Sequence, residues 1–485
     1  MLSAFLLSII LFFLFKLFYP YPNMVMDSYV YIRPMVEETN ANSFPIGYTW
    51  FLQTFSWLSR STTLLVWVQY LFFVAAGLLF FFTLLLFFQP RKWVANFLFL
   101  FLFVNPLFLY GSNFIMSDML FTTLSLLWIT QLIWIIGRPR NYMIISHAVL
   151  LLLVFTIRYN ALYYPFVASL ILLLTRLRPW AKAVAIGLQF VLIGAFILYT
   201  IHQMQAVTGI RQFSPFGGWR IANNALYMYG HICQEKNDPV PEIFGRLDTM
   251  VRRYFYTVKE VDDLADPHSG GAFYGADPGA PLQQYMHREY GRDTTFLDLR
   301  TFGHLAPLYS AYGTYLARKY PLDYCRWFLW PSTIRYIFSP TEIFSTLSPY
   351  YLRNDKIGRE ASQWFGLKTL MVNPAYINWR TLILSPYPLL LAIIHLAFLI
   401  GLAGYLVFVG FKKVGRINAH IIIAISAFWI CDFFFKITAG AIVLRHQLFL
   451  MILEFAFALL FMDLIYHQNE SPKVEEPHDF SPNVL

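Results

Sequence analysis

Residues 64–88, LLVWVQYLFFVAAGLLFFFTLLLFF, run for 25 positions without a charged side chain. A bilayer core takes about 20 mainly apolar residues per helix, with about 17 to 25 tolerated, so this stretch reads as a membrane span. Comparable runs lie on either side, at 2–18, 94–111, 117–136, 142–157, 160–175, 181–201, 386–410, 418–437 and 444–465. The whole chain follows the same pattern: of its 485 residues 58% are hydrophobic and 13% charged, where a soluble domain carries about 25% charged residues. A soluble enzyme, a fibrous protein and a disordered chain are excluded. The expected fold class is an all-α polytopic membrane protein of about ten spans with a long outer-face segment. The first run lacks a basic leader and a small-residue cleavage site, and so reads as a retained anchor. The fifth and sixth runs are short and meet at Arg158-Tyr159-Asn160, which predicts tilted or broken helices.

The formal charge of +9 comes from 36 Lys and Arg against 27 Asp and Glu. Ten of these cations, Arg91, Lys92, Arg138, Arg140, Arg176, Arg178, Lys182, Lys412, Lys413 and Arg416, sit in four short connections that alternate through the spans. Cytoplasmic loops are enriched in Lys and Arg, so those loops predict a cytoplasmic N-terminus in a bacterial plasma (inner) membrane. The basic balance is topology, and no nucleic-acid partner is implied. The chain then divides into a transmembrane module over 1–201 with its first outer loop, an outer-face segment over 202–385, a C-terminal group of spans over 386–465, and an acidic cytoplasmic tail over 466–485 read as disordered. Within the outer segment, 270–279 (GGAFYGADPG) reads as a flexible loop. Residues 300–345 read as helices lying on the membrane surface. Cys233 and Cys325 are open to pairing if that segment faces an oxidising compartment, and the three cysteines form no metal motif.

Charges at membrane depth are costly and usually functional. On this topology Asp27, Asp118, Arg158 and Arg445 share one membrane level at the outer face, although they come from four separated places in the chain. Arginine forks bind phosphate and a carboxylate accepts a proton from an attacking hydroxyl, so the set suits a phosphorylated lipid substrate. The plain alternatives are a helix cap for Asp118, headgroup contacts for Arg158 and Arg445, and an ordinary interfacial position for Asp27. Asp432 and Lys436, four apart on one helix face, read as an intramembrane ion pair, with Lys436 near enough to the outer end for a supporting phosphate contact. Glu454 reads as a cavity or pairing residue. His231, His268, His287 and His304 lack ligand spacing, so no metal and no cofactor is called for.

Several stretches carry a likeness. Met26-Asp27-Ser28-Tyr29, then Phe44-Pro45-Ile46-Gly47-Tyr48, then Asn105-Pro106 with Ser117-Asp118-Met119-Leu120, then Ile157-Arg158-Tyr159-Asn160, and finally Leu444-Arg445-His446 resemble, in order, motifs of the GT-C glycosyltransferases. The likeness is to the group that uses polyprenyl-phosphate sugars, including protein O-mannosyltransferases and the lipid A aminoarabinose transferase. Tyr320-Pro321-Leu322-Asp323-Tyr324 is similar to the turn on that group's amphipathic outer helix. The family's first motif commonly has a second acid where this chain has Ser28. The resemblance implies a GT-C-like fold and a polyprenyl-phosphate-linked sugar donor. The acceptor would be a lipid, a protein or a glycan, and transfer a single inverting displacement at the outer face. It implies Asp27 as the base that activates the acceptor, Asp118 as the second acid, and Arg158 and Arg445 as holders of the lipid-linked phosphate. A polysaccharide polymerase or ligase is the alternative enzyme, and would place its key Arg and His in a late outer loop. A transporter is the non-enzyme alternative and would place charges at mid-bilayer in repeated positions.

Overall fold

The structure is a computed structural model and describes residues 2–20, 22–236, 238–257, 271–291, 298–341, 361–362, 364–366, 382–411, 415–439 and 441–470. Among them the regular secondary structure is helical, with one isolated parallel bridge between Asn23 and Phe114. In chain order the helices used below are α1 (Leu2–Phe18), α2 (Met26–Val36), α3 (Gly47–Ser56), α4 (Thr62–Phe88), α5 (Lys92–Phe103), α6 (Pro106–Ser112), α7 (Ser117–Gly137), α8 (Tyr142–Ile157), α9 (Tyr164–Leu174), α10 (Pro179–Thr208), α11 (Pro215–Ile232), α12 (Gly245–Thr257), α13 (Phe273–Ala276), α14 (Pro281–Tyr290), α15 (Leu299–Lys319), α16 (Pro321–Tyr324), α17 (Trp330–Ile337), α18 (Tyr387–Gly404), α19 (Arg416–Ala439) and α20 (Leu444–Glu470).

Among the described residues seven helical stretches are long and apolar enough to cross a membrane: Thr62–Phe88, Lys92–Ser112, Ser117–Gly137, Pro179–Thr208, Leu382–Val409, Arg416–Ala439 and Leu444–Tyr466. The other three apolar runs form the shorter helices Ala4–Phe18, Tyr142–Ile157 and Tyr159–Leu174. This is a membrane-embedded helical bundle.

Its irregularities have local causes. The run 94–111 is not one continuous helix but α5 and α6. A residue before proline is driven out of the α region and proline has no N–H to donate, so the chain restarts at Pro106, with the Asn105 side chain accepting from the Leu107 amide at 3.0 Å. The expected break between the fifth and sixth runs is present. Arg158 is extended (φ −150°, ψ 130°), a 3-10 turn covers Tyr159–Tyr163, and α9 starts with Pro165 in its first turn, where its missing N–H costs nothing.

Two boundaries and one loop reading are corrected. Helix α10 continues to Thr208, past the expected end at 201. Helix α20 reaches Glu470, so the first residues of the stretch read as a disordered tail are helical, and 471–485 lie outside the described residues. The described part of 270–279 is folded: α13 buries Tyr274 completely, its ring against Tyr227 and Phe255. Within 300–345, α15 has a buried face. It packs on α11, and the two helices touch where Gly218 meets the Ala306 backbone and Gly313 meets the backbone of Ile221 and Ala222, with no room for a β-carbon. The segment after it does expose a stripe at every fourth position: Leu322, Trp330, Ile334 and Phe338.

Helices α11, α12, α14 and α15 share a second core built on Trp219, Tyr229, Phe302, Tyr309 and Tyr312. At its centre the buried Asp248 accepts from the Tyr229 hydroxyl at 2.9 Å, the Tyr312 hydroxyl at 2.8 Å and Arg252 Nε at 2.7 Å. Burial, reinforced by this carboxylate, holds both phenols well above their ordinary range, so they remain donors. The unit sits on the bundle: Asn224 Nδ2 donates to the Thr438 carbonyl at 3.1 Å, and the Leu444 amide to the Pro340 carbonyl at 2.9 Å.

All three cysteines are free, so the open pairing of Cys233 with Cys325 is not made. Cys233 is buried and its thiol is pushed up to about 11 by that burial, whereas Cys325 is exposed. At about pH 8 roughly one Cys233 in a thousand is thiolate, the reactive form. A membrane-impermeant maleimide is expected to label Cys325 in intact cells from the outside and to leave Cys233 unmodified until the protein is unfolded. Mass spectrometry of labelled peptides reads this, and labelling of Cys325 only after permeabilisation would reverse the orientation.

Candidate functional site

The turn after α1, the N-terminus of α7, the C-terminal end of α8 and the N-terminus of α20 meet at one end of the bundle. Their meeting is built from backbone and buried polar contacts. The Asn23 amide donates to the Asn113 carbonyl at 2.8 Å, and the Ile115 amide to the Asn23 carbonyl at 3.0 Å. Gln69, buried in α4, donates to the Ser112 and Phe114 carbonyls at 3.2 Å each and accepts from the Tyr48 hydroxyl at 2.7 Å. The Tyr31 and Ser117 hydroxyls lie 2.8 Å apart and tie α2 to α7. Gly47 lies directly against the Thr156 backbone, where a β-carbon would meet it at 2.6 Å. That contact seats α3 against the last turn of α8, just before Arg158.

These elements bring four of the five expected residues into one cluster. Arg158 Nη1 pairs with Asp118 Oδ1. Arg445 Nη1 lies 2.8 Å from Asp27 Oδ2 and 3.4 Å from Asp118 Oδ2, so a single guanidinium nitrogen bridges both carboxylates. Asp118 is nearly inaccessible, its side chain 4% exposed, against 28% for Asp27. The cap reading of Asp118 fails: Met116 occupies the N-cap of α7 and makes no side-chain cap bond, while Asp118 is engaged by arginines. Its place in the first turn still suits the positive end of the helix dipole, whereas Arg445 at the start of α20 opposes that dipole and is compensated by the two carboxylates. Both arginines point into the cluster, toward Asp118 and Asp27.

Lys436, the fifth, belongs to a neighbouring network. Its Nζ is 3.0 Å from Asp432 Oδ2, the expected i,i+4 pair, and donates to Gln447 Oε1 at 2.8 Å. Asp432 also accepts from the Tyr163 hydroxyl at 2.6 Å and the Tyr336 hydroxyl at 3.1 Å. The Tyr336 carbonyl accepts from His395 Nε2 at 3.1 Å, and His395 Nδ1 lies 2.6 Å from Glu454 Oε2. Glu454 is therefore a pairing residue. Lys436 is satisfied within this network by Asp432 and Gln447.

Sequence reasoning did not single out His446, His395, Tyr31 or Tyr336. A lone histidine in the apolar run 386–410 is a signal that would have marked His395 as a partner for Glu454. Nothing in the residue pattern marks Tyr336, because the segment that delivers it enters the bundle from the unit built on α11 and α15. Among the described residues no group of three or more His, Cys, Asp or Glu is placed to hold a metal ion. Comparison of the chain with protein-family models, curated proteins and solved structures gives no match.

Chemically, the cluster offers two guanidiniums whose partners are exchangeable anions. A phosphate entering between Arg158 and Arg445 competes with Asp118 and Asp27 for the same donors. The carboxylates it displaces become free to accept from hydroxyl groups. The site is nearly balanced in charge without a ligand, so an incoming anion is favoured by geometry and desolvation more than by net attraction.

Proposed function

We propose that this protein is a GT-C-like membrane glycosyltransferase. It transfers a sugar from a polyprenyl-phosphate donor to a lipid, protein or glycan acceptor at the outer face of a bacterial plasma (inner) membrane, by a single inverting displacement, with its N-terminus and C-terminal tail in the cytoplasm. The observation that carries this reading is the contact cluster of Asp27, Asp118, Arg158 and Arg445, drawn from four distant parts of the chain to one end of an apolar bundle. A donor whose lipid stays in the bilayer and whose phosphate lies at its boundary needs cations at that depth. When the bond from the anomeric carbon to the phosphate oxygen breaks, the leaving polyprenyl phosphate carries one more negative charge than the donor, which is the charge Arg158 and Arg445 are placed to stabilise. The order and spacing of the motifs that resemble the GT-C group support the same reading. The four-residue cluster lies at one end of the bundle, and the mid-span pair His395–Glu454 is satisfied internally, which favours this reading over a transporter with mid-bilayer charges in repeated positions. Asp27, the more exposed carboxylate, faces acceptor and sugar hydroxyls; Asp118 holds both arginines in register.

The test is direct. Purified protein in lipid nanodiscs is given polyprenyl phosphate carrying radiolabelled mannose, glucose or aminoarabinose, together with an outer-envelope extract as acceptor. Transfer of label with release of polyprenyl phosphate is expected, and Asp27→Asn is expected to lower it at least about tenfold, the lower side of what a hydrogen bond to a charged group contributes. No transfer from any of these donors, or full transfer by Asp27→Asn, would overturn the assignment.

A further inference from the structure

Resting on the reading above, we propose that Lys16 is the contact at which the donor's lipid-linked phosphate first binds, on its way from the bilayer to Arg158 and Arg445. Lys16 stands in the last turn of α1, an otherwise uncharged helix. Its Nζ donates to Asn113 Oδ1 at 2.7 Å. Among the described residues it pairs with no carboxylate, whereas Arg158, Arg445 and Lys436 each have one. An ammonium offers three donors, and a single amide oxygen leaves the charge itself unanswered. The carbonyl end of α1 favours a cation there, so the group stays charged. A cation at membrane depth is costly and usually functional, and phosphate is the anion that a lipid brings to that depth.

The side chain is neither sealed off nor turned out to the headgroups. Lys16 is partly exposed, and its neighbours Leu14, Leu17 and Phe18 are 49%, 73% and 53% exposed, so this turn of α1 is a lipid-facing edge of the bundle. Yet Nζ lies inward, 5.9 Å from the ring centre of Phe12 and against Asn113, which is wholly buried. That asparagine links the cation to the charged cluster through the backbone. Its carbonyl accepts from the Asn23 amide at 2.8 Å, four residues before Asp27, and Asp118 follows it by five. The same junction has donors in excess. Asn23 Nδ2 and Ser112 Oγ are buried there without a partner among the described residues, and buried donors are rarely left so. The uncompensated charge is therefore at the lipid edge, while that of the arginines is balanced by Asp27 and Asp118.

An order of binding follows. A lipid phosphate arriving through the membrane meets an ammonium that it can take without displacing a carboxylate. Only the second move, onto the guanidiniums, requires that competition. In this role Lys16 binds substrate and takes no part in making or breaking bonds, so its loss raises KM and leaves kcat unchanged.

The experiment measures equilibrium binding of tritiated polyprenyl phosphate, carrying no sugar, to the protein in phosphatidylcholine nanodiscs. Lys16→Met is expected to weaken binding about tenfold or more, the range of a hydrogen bond to a charged group. Lys16→Arg, which keeps the charge, is expected to bind nearly as the unaltered protein does. Polyprenol, the same lipid without its phosphate, is expected to bind Lys16→Met and the unaltered protein alike, which separates lost charge from a disturbed fold. Lys16→Gln keeps a donor for Asn113 and decides the matter if Lys16→Met does not fold. Phosphatidylglycerol at the same mole fraction, or inorganic phosphate in excess, is expected not to displace the polyprenyl phosphate. Equal binding of polyprenyl phosphate by the unaltered protein and either neutral variant overturns the assignment, as does equal weakening of polyprenol binding. Displacement by phosphatidylglycerol or by inorganic phosphate overturns it too, because Lys16 is then a contact for any headgroup or any phosphate. Binding that depends on Lys16 without sugar transfer from any donor counts against the transferase reading and leaves this one standing.

Discussion

Asp118→Ala is expected to destabilise the protein by about 3–5 kcal/mol, the usual cost of stranding a buried charge by deleting its partner. The carboxylate accepts from Arg158 and lies 3.4 Å from Arg445, and those side chains are only 14% and 11% exposed. Without Asp118, Arg158 loses this carboxylate, and Arg445 keeps its pair with Asp27. The loss is read as a drop in unfolding midpoint in nanodiscs. Adding Arg158→Met is expected to restore a large part of it, because the uncompensated charge goes with its side chain and the methionine fills similar apolar volume. A cost below about 1 kcal/mol for Asp118→Ala, as exposed pairs show, would mean that the arginines turn to water or headgroups and that the cluster is not a desolvated one.

Arg445→Lys is expected to leave the fold intact and to lower sugar transfer by about 10²–10³-fold, the range seen when one donor to a developing oxyanion is removed. Lysine keeps the charge but not the planar fork. One nitrogen of Arg445 spans Asp27 and Asp118, and an incoming phosphate oxygen competes with those carboxylates for the planar fork. A lysine ammonium is a single point that must choose among them. The control is Arg91→Lys at the opposite end of the bundle, where the Arg91 amide donates to Asp463 Oδ2 at 3.3 Å and its guanidinium stacks over Tyr466. It should change transfer less than about twofold, as surface-type substitutions away from a site do. Equal transfer by Arg445→Lys and the unaltered protein would remove Arg445 from the phosphate site.

How much of this could be read in the chain follows from what each feature depends on. Spans depend on runs of apolar residues, so the apolar helices fell close to where hydropathy put them. The charged cluster was legible for a related reason. Asp27, Asp118, Arg158 and Arg445 stand out against an apolar background, and counting helix reversals sends all four to one end. The Asp432–Lys436 pair needed only helical spacing. What could not be read depends on where one piece of backbone arrives beside another. Tyr336 is carried into the bundle by a segment after α16 and found Asp432 there. His446 acquires its orientation from the carbonyl of Ala441, five positions back in a left-handed turn. The loop 271–279 looked mobile by composition, yet Tyr274 found a pocket of aromatic rings. Its glycines loosen the chain less than that ring anchors it.

The chain order of the cluster bears on how the protein is made. Asp118 and Arg158 are 40 residues apart and can neutralise each other as soon as the α7–α8 hairpin is in place. Asp27 and Arg445 are separated by 418 residues. During synthesis Asp27 therefore waits, without its cation, until the last span enters the bilayer. The final helix is then both a structural wedge and the part that completes the site. A nascent chain cut short anywhere before Arg445 carries its lipid-facing helices but no bridge between the two carboxylates. On the proposed function, such unfinished copies lack the cation that gathers both carboxylates at the phosphate site.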